Sequence, residues 1–447
     1  MENIVCKFGG TSMADGNVIS RVKKIVEADA ERRYVVVSAP GKRYGADVKI
    51  TDLLYAAVNA AKDGDVATFE KNYSKISERF IGILKELNCS AEFTEEITAD
   101  LAEIKNRIVS EKEEDYAASR GEFLAAKIMA RLLAVPFVDA VEIIFFNADG
   151  TLCEKTYEAV YARLRNVKRA VIPGFYGRGA DGRVKTFSRG GGDITGAVIA
   201  AGARASLYEN WTDVSGFYAC DPKIVSSPQR ISSLSYAELR ELSYMGASVL
   251  HSESVFPVRA AGIPIHILNT FRPEEKGTKI VAAHSEKTDG GVVTGIAGKK
   301  GFTVITLEKS LMNAEIGFAA KVLTAVAEEG IPLEHMPSGI DTLSVVLESS
   351  RLAGGVKERL IEKIKKETHT ERVFLHENIS LIATVGHGLR GCIGASARLF
   401  KALADEGISV ITIDQGSSEL NIIVGVEDRD CDRAIAAIYR AFFSATA

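Results

Sequence analysis

The strongest constraint on this chain's fold is an internal repeat near its C-terminus. Residues 316–331 (IGFAAKVLTAVAEEGI) and 393–408 (IGASARLFKALADEGI) match without a gap at an offset of 77 residues, and Leu343 matches Leu420 at the same offset. Ungapped registry over such a span reports a duplicated supersecondary unit. Each copy reads as strand, turn, amphipathic helix closed by a glycine, strand, turn, strand. Strands are expected at residues 302–307, 333–336 and 342–347 in the first copy, and at 379–385, 410–414 and 420–426 in the second. Helices expected at 356–367 and 430–442 complete two small ferredoxin-like βαββαβ units, 302–377 and 378–447.

Upstream of the repeat, residues 1–285 alternate short apolar runs with amphipathic stretches, the pattern of an α/β layer fold. Residues 4–8, 34–38, 136–138, 170–172, 205–208 and 264–268 read as strands, several apolar at successive positions as in a sheet covered on both faces. Helical spacing marks residues 18–33, 119–134, 195–203 and 235–244, and the charged stretch 61–116 reads as an inserted helical subdomain. Residues 286–301, opening on Glu-Lys-Thr-Asp-Gly-Gly, have linker composition. A chain of 447 residues divides into two to four domains on size alone.

Hydrophobic residues at 46%, charged residues at 26% and a net charge of −4 suggest neither disorder nor a nucleic-acid footprint, so a small-molecule or protein partner is expected. No apolar run reaches the length of a membrane span, and Met1 leads into a glycine-rich turn without a signal-peptide pattern, which makes the cytosol the expected compartment. The six cysteines are scattered with no CxxC pair, and the seven histidines form no cluster, so reduced thiols and no protein-ligated transition metal are expected.

Three segments carry chemistry. Lys7-Phe8-Gly9-Gly10-Thr11-Ser12 puts a lysine at a strand end and two glycines in the turn towards the next helix, where backbone amides and a helix N-terminus suit phosphate oxygens. It lacks Walker A spacing. Ser188-Arg189-Gly190-Gly191-Gly192-Asp193 is a second anion-suited turn, with Arg189 able to clamp a carboxylate and Asp193 equally readable as a helix N-cap. Trp211-Thr212-Asp213-Val214-Ser215-Gly216-Phe217-Tyr218, followed by Asp221-Pro222-Lys223, offers rings and polar groups to a base and ribose, and a lysine to phosphate; by composition it also reads as a plain loop.

In order and spacing these segments, with Tyr244-Met245-Gly246-Ala247-Ser248-Val249-Leu250-His251, resemble the aspartate kinases of the amino-acid kinase fold family, and the tandem repeat is similar to their paired ACT domains. The resemblance covers essentially the whole chain. It implies a mainly parallel sheet sandwiched by helices, followed by two interleaved ACT domains. It also implies ATP with Mg²⁺, L-aspartate as acceptor, and a homodimer or dimer of dimers formed through the ACT domains. By the same resemblance Lys7, Phe8, Gly9 and Gly10 meet the ATP phosphates, Thr212, Asp213, Tyr218 and Lys223 hold the nucleotide, and Thr51, Glu122 and Arg189 hold aspartate.

Aspartate brings an ionised carboxylate, so no general base is needed, and Lys7 oriented by Asp193 is the expected catalytic pair. In the first repeat the strand connection 336–342 offers Ser338 and Asp341 to an effector. The resemblance adds Met312, Gly339 and Thr342, and points to lysine as feedback inhibitor, with threonine, alone or jointly, the competing choice. Two departures stand out: Gly192 occupies a position commonly serine in the family, and Ser248 one where many relatives have lysine.

Overall fold

The computed structural model describes residues 3–188, 190–247, 250, 255–282 and 291–444; Arg189, Ser248 and residues 286–290 of the expected linker lie outside them. The chain forms two compact units, the first comprising Met1–Phe217, Ser232–Tyr236 and Val249–His284, the second Tyr218–Ile231, Ala237–Ser248 and Ser285–Ala447. The division departs from the boundary expected near 285. Cys220, Ile224 and Val225 pack into the core of the second repeat, which draws segment 218–231 into the second unit.

The strands of the first unit are β1 (Ile4–Phe8), β2 (Arg32–Val37), β3 (Ala170–Pro173), β4 (Tyr176–Arg178), β5 (Val184–Thr186), β6 (Leu207–Thr212), β7 (Ser233–Ser235), β8 (Ile265–Asn269) and β9 (Thr278–Val281), of which β1, β2, β3 and β8 grow from apolar runs too short for helices. Seven of them make one sheet in the order β3-β2-β1-β6-β8-β9-β7, parallel except between β8 and β9. The run at 136–138 contributes only an isolated bridge, Phe137 to Val171.

Between these strands run α1 (Gly16–Glu27), α2 (Ile50–Asp63), α3 (Val66–Glu86), α4 (Ala91–Glu111), α5 (Glu114–Leu133), α6 (Ala140–Ile143), α7 (Lys155–Leu164), α8 (Gly191–Gly202), α9 (Tyr236–Tyr244) and α10 (Phe256–Ala260), of which α9 after Tyr236 belongs to the second unit. The expected insertion is helical, with Asp65 and Ser90 capping α3 and α4. It is not a separate subdomain: Phe69, Tyr73, Ile76 and Phe80 of α3 and Ile97, Leu101 and Ile104 of α4 share one apolar core with β1 and β2. Helix α8 starts four residues before the stretch expected at 195–203, because the glycines of the second anion-suited turn form its first turn.

In the second unit a five-stranded antiparallel sheet runs β11-β10-β12-β14-β13, from β10 (Gly295–Glu308), β11 (Thr342–Glu348), β12 (Arg372–Val385), β13 (Thr412–Asp414) and β14 (Asn421–Glu427). Its helices are α11 (Phe318–Glu328), α12 (Val356–Thr368), α13 (Ala395–Asp405) and α14 (Cys431–Phe443). Gly317 and Gly394, the N-caps of α11 and α13, share one left-handed φ of 86°. Residues 295–299, assigned to the linker by composition, are strand: they pair with the Leu381–Val385 half of β12, whereas Phe302–Glu308 pairs with β11 and the other half. The second repeat thus takes a strand from ahead of the first. Residues 333–336 form no strand, only the bridge His335 to Val346.

One buried charge ties the first sheet together. The Glu209 carboxylate on β6 accepts from Arg32 Nε at 2.8 Å and Nη2 at 3.2 Å, and from Trp211 Nε1 at 2.8 Å, while the Arg32 guanidinium lies 5.2 Å from the Trp211 ring. Glu209→Ala leaves Arg32 without its counter-ion and is expected to destabilise the first unit by about 2–4 kcal/mol, read as a shift of the urea unfolding midpoint.

Candidate active site

Strand pairing places the reactive groups. Lys7 and Asn210 are register partners on the adjacent strands β1 and β6, so their side chains leave the same face of the sheet. Both meet the Asp193 carboxylate: Lys7 Nζ lies 2.6 Å from Oδ1, and Asn210 Nδ2 donates to the same oxygen at 2.8 Å. Tyr208, two residues before Asn210, donates its hydroxyl to the Asp193 carbonyl at 3.1 Å. Asp193 stands in the first turn of α8 and is not its N-cap; that position is Gly190, at φ 58°, and no side chain caps the helix. The first amides of α8 therefore stay open to an anion beside a buried lysine.

Gly192 packs between Ser38 and Lys7. A Cβ there would stand 2.7 Å from Ser38 Oγ and 3.3 Å from Lys7 Cε, so the Ser38 hydroxyl at the end of β2 fills the space a side chain at 192 would enter. Ser38 and Asn210 were not singled out by sequence reasoning. A polar residue inside the buried strand β6 is the signal that marks Asn210; Ser38 has only its place at a strand end.

The first glycine turn is arranged differently from expectation. Gly10–Met13 is a short 3-10 turn, and α1 begins only at Gly16. The N-terminus of α1 is already satisfied, since Asp15 accepts from the Val18 amide at 2.9 Å and Glu86 accepts from the Gly16 amide at 2.7 Å. The open helix end is that of α8. Gly9 donates to the Trp211 carbonyl at 3.1 Å, and the Gly10 carbonyl accepts from Gly41 at 2.8 Å. Phe8 is fully buried and stacks on Trp211 with ring centroids 5.8 Å apart, which makes it a core residue.

Thr51 lies in the first turn of α2 and Glu122 within α5. Gly121 brings these helices together, because a Cβ on it would stand 2.6 Å from Ala39 Cβ and 3.2 Å from Ile50 Cγ2. Glu122 is 5% exposed, with Oε2 unpartnered among protein atoms. Burial pushes its carboxyl up to about 8, against the opposing pull of the Ala39 and Glu122 amides and of Arg120.

Thr212 ends β6 and Asp213 follows it, and both are tethered from the end of β8: Thr212 O accepts from the Thr270 amide at 2.9 Å, and Asp213 O from Asn269 Nδ2 at 3.3 Å. Tyr218 and Lys223 belong to the second unit, where Tyr218 bridges to Arg230 and the Lys223 amide donates to Asp221 Oδ1 at 2.9 Å. The expected effector residues divide. Ser338, Gly339 and Thr342 line one cavity of about 370 Å³ with Thr306, Ser344 and His376. Met312 is buried in the core of the first repeat, and the Asp341 carboxylate accepts from the Leu311 amide at 2.9 Å. Among the described residues no group of three or more His, Cys, Asp or Glu could hold a metal ion, and no helix is long and apolar enough to cross a membrane.

A buried lysine paired with an aspartate at an open helix N-terminus, beside glycine turns, is an arrangement suited to a phosphate-bearing ligand. The Amino acid kinase family profile matches residues 2–269, and an ACT domain profile matches residues 382–442. The chain belongs to the amino acid kinase family. It is 38% identical to aspartokinase 3 of Bacillus subtilis over 98% of both chains, and 30% identical to the chloroplastic aspartokinase 1 of Arabidopsis thaliana over 98% of this chain and 80% of that one. The crystal structure of Clostridium acetobutylicum aspartate kinase is similar over 99% of this chain and 100% of that one, with a TM-score of 0.90 and 47% identity. E. coli aspartokinase III in complex with aspartate and ADP gives a TM-score of 0.74 and 25% identity over 99% and 100%. Within the family, this protein is an aspartate kinase.

Burial of Glu122 has a consequence for stability. A carboxyl whose folded pKa is raised contributes stability that is present below the unfolded value and lost as pH rises through about 8. In thermal melts the advantage of ligand-free Glu122→Gln over the parent should be absent near pH 4, grow between about pH 5 and pH 8, and level off above.

Proposed function

We propose that Lys7, Asp193 and the glycine turns carry transfer of the γ-phosphoryl of ATP to the side-chain carboxylate of L-aspartate, giving 4-phospho-L-aspartate and ADP. The contact between Lys7 and Asp193 at the uncapped start of α8 carries this reading. A carboxylate oxygen of aspartate forms the new bond to the γ-phosphorus as the bond to the β,γ-bridging oxygen breaks. The acceptor is already ionised, so catalysis rests on positioning and charge neutralisation. The Lys7 ammonium faces the charge on the transferred group, and Asp193, fixed by Asn210, keeps the ammonium oriented. The amides of Gly10 and the first turn of α8 offer donors to phosphate oxygens, while Gly9 keeps the turn free of a side chain.

Thr51 and Glu122 take the aspartate, the unpartnered Glu122 oxygen receiving its ammonium group, while Arg189 takes a carboxylate. Thr212 and Asp213 hold the nucleotide, the role that the sequence motif also assigns to Tyr218 and Lys223. Asp193 is engaged by Lys7 and Asn210, so Mg²⁺ accompanying ATP would find few ligands in the protein and would supply charge neutralisation at the phosphates.

The ACT repeat serves feedback control of a first step towards lysine, threonine and methionine. Lysine is the proposed inhibitor; one solved structure of E. coli aspartokinase III, similar over 99% of this chain, is in complex with lysine and aspartate. Ser338, Gly339 and Thr342 contact the effector, with Asp341 holding the loop. Assembly through the ACT domains fits the full exposure of Ile316 and Ile393, equivalent residues of the two repeats at 98% and 102%. Six unpaired cysteines fit a reducing cytosol.

Lys7→Ala should lower kcat by about a hundredfold or more at saturating ATP and aspartate; unchanged turnover would remove Lys7 from the chemistry. Initial rates titrated with lysine should show weaker inhibition of Asp341→Ala than of the parent, and equal inhibition would take Asp341 out of the effector loop's work.

A further inference from the structure

Arg79, on α3, has no part in the site described above, yet its guanidinium reaches into the site's foundations. Its side chain is 5% exposed. Nη2 donates to both Asp47 oxygens, at 2.8 and 2.7 Å, and Nη1 donates to the Gly41 carbonyl at 3.0 Å and the Ala14 carbonyl at 3.5 Å. Ala14 follows the Gly10–Met13 turn; Gly41 and Asp47 belong to the loop between β2 and α2.

That loop, residues 39–49, joins the two halves of the site. It starts at Ala39, whose amide faces the Glu122 carboxyl, and runs into α2 one residue before Thr51. Between Gly41 and Ile50 every residue except Asp47 is exposed, so Gly41 and Asp47 are its inward anchors, and both end on Arg79. Gly41 is also wedged against the glycine turn: its amide donates to the Gly10 carbonyl at 2.8 Å, and a Cβ on it would stand 2.5 Å from Gly10 C. Asp47 further accepts from the Arg43 amide at 3.0 Å and from Arg43 Nε at 2.9 Å. The Arg43 contact, ahead of the Arg79 charge and against the effect of burial, holds the Asp47 carboxyl well below its ordinary range.

Burying an ion pair adds little net stability, whereas the rigid five-donor fork of arginine fixes several acceptors in one geometry. We propose that Arg79 is a positioning residue for phosphoryl transfer: by clamping Gly41 and Asp47 it holds the loop so that Thr51 and Glu122 stand in register with the Gly9-Gly10 turn. The proposal rests on the reading of Thr51 and Glu122 as the aspartate side and of the glycine turn as the ATP side.

The test is steady-state kinetics of the full chain with Arg79→Lys, Arg79→Met and Asp47→Asn, each assayed well below its own melting temperature. Lysine keeps the charge but cannot span both anchors. Arg79→Lys and Asp47→Asn should raise KM for aspartate by about fivefold or more while KM for ATP stays within about twofold. If Arg79→Met does not fold, those two variants carry the result. Lower melting temperatures with KM for aspartate unchanged would overturn the proposal, reducing Arg79 to a stability role. Thr51→Ala and Glu122→Gln separate the two readings. If they raise KM for aspartate and Arg79→Lys does not, only the positioning role fails. If they too leave it unchanged, the acceptor assignment fails and the proposal with it.

Discussion

A lysine ammonium taken out of water needs a counter-charge, and Lys7 sets that demand at the centre of the first sheet. Dehydrating an ion costs several kcal/mol unless an opposite charge and further hydrogen bonds replace the lost water. Asp193 at 2.6 Å supplies the charge, and Asn210 fixes its carboxylate. To deliver Asp193 there, α8 must begin almost on top of β1 and β2, where a Cβ at 192 would stand 2.7 Å from Ser38 Oγ and require that hydroxyl to turn away. The open amides of α8 follow from the same packing. Its first turn is pressed against Lys7 and Ser38, and no side chain caps it.

The proposed acceptor side uses burial to the opposite effect. Asp193 is paired; Glu122 is buried with one oxygen unpartnered, and burial favours its proton. A buried polar atom without a partner calls for an explanation, and a ligand bearing an ammonium group supplies one. Helices α2 and α5 can hold this carboxyl because Gly121 lets them approach through Ala39 and Ile50. The helices α3 and α4 are part of the same arrangement: they complete the core beneath β1 and β2, and α3 carries Arg79 to the loop that α2 continues.

In the second unit the duplication is not a pair of independent beads. The long strands β10 and β12 run antiparallel along their whole length, so one sheet serves both repeats. Each repeat keeps its own apolar core, one around Phe318, Val322 and Leu360, the other around Leu399, Leu403 and Ile435. The shared strands join the cores by backbone hydrogen bonds, a stiff connection between two otherwise separate packing units.

Local patterns made much of this legible in the sequence. Helices α11 and α13 start 77 residues apart, at the repeat's own offset, because the glycine caps and apolar spacing that define them are local. The apolar runs that became β1, β2, β3 and β8, and the chemistry of the Lys7 and Asp193 segments, were readable for the same reason. Other features depend on partners far away in the chain and leave no local trace. Glu86, not a phosphate, satisfies the start of α1; Arg79 meets Asp47 from another helix; and residues 295–299, of linker composition, become strand because β12 offers them an edge. Tyr218 and Lys223 read as part of the nucleotide motif, yet they pack with the second unit, since Cys220 and Ile224 find their apolar partners there. The sequence by itself determined which segments could bind anions and which were duplicated, because those properties reside in residue type and short-range spacing. Only the tertiary structure decided which amides stay open, which carboxyl keeps its proton and which loop is clamped, because each of these is set by groups that folding alone brings within a few ångströms.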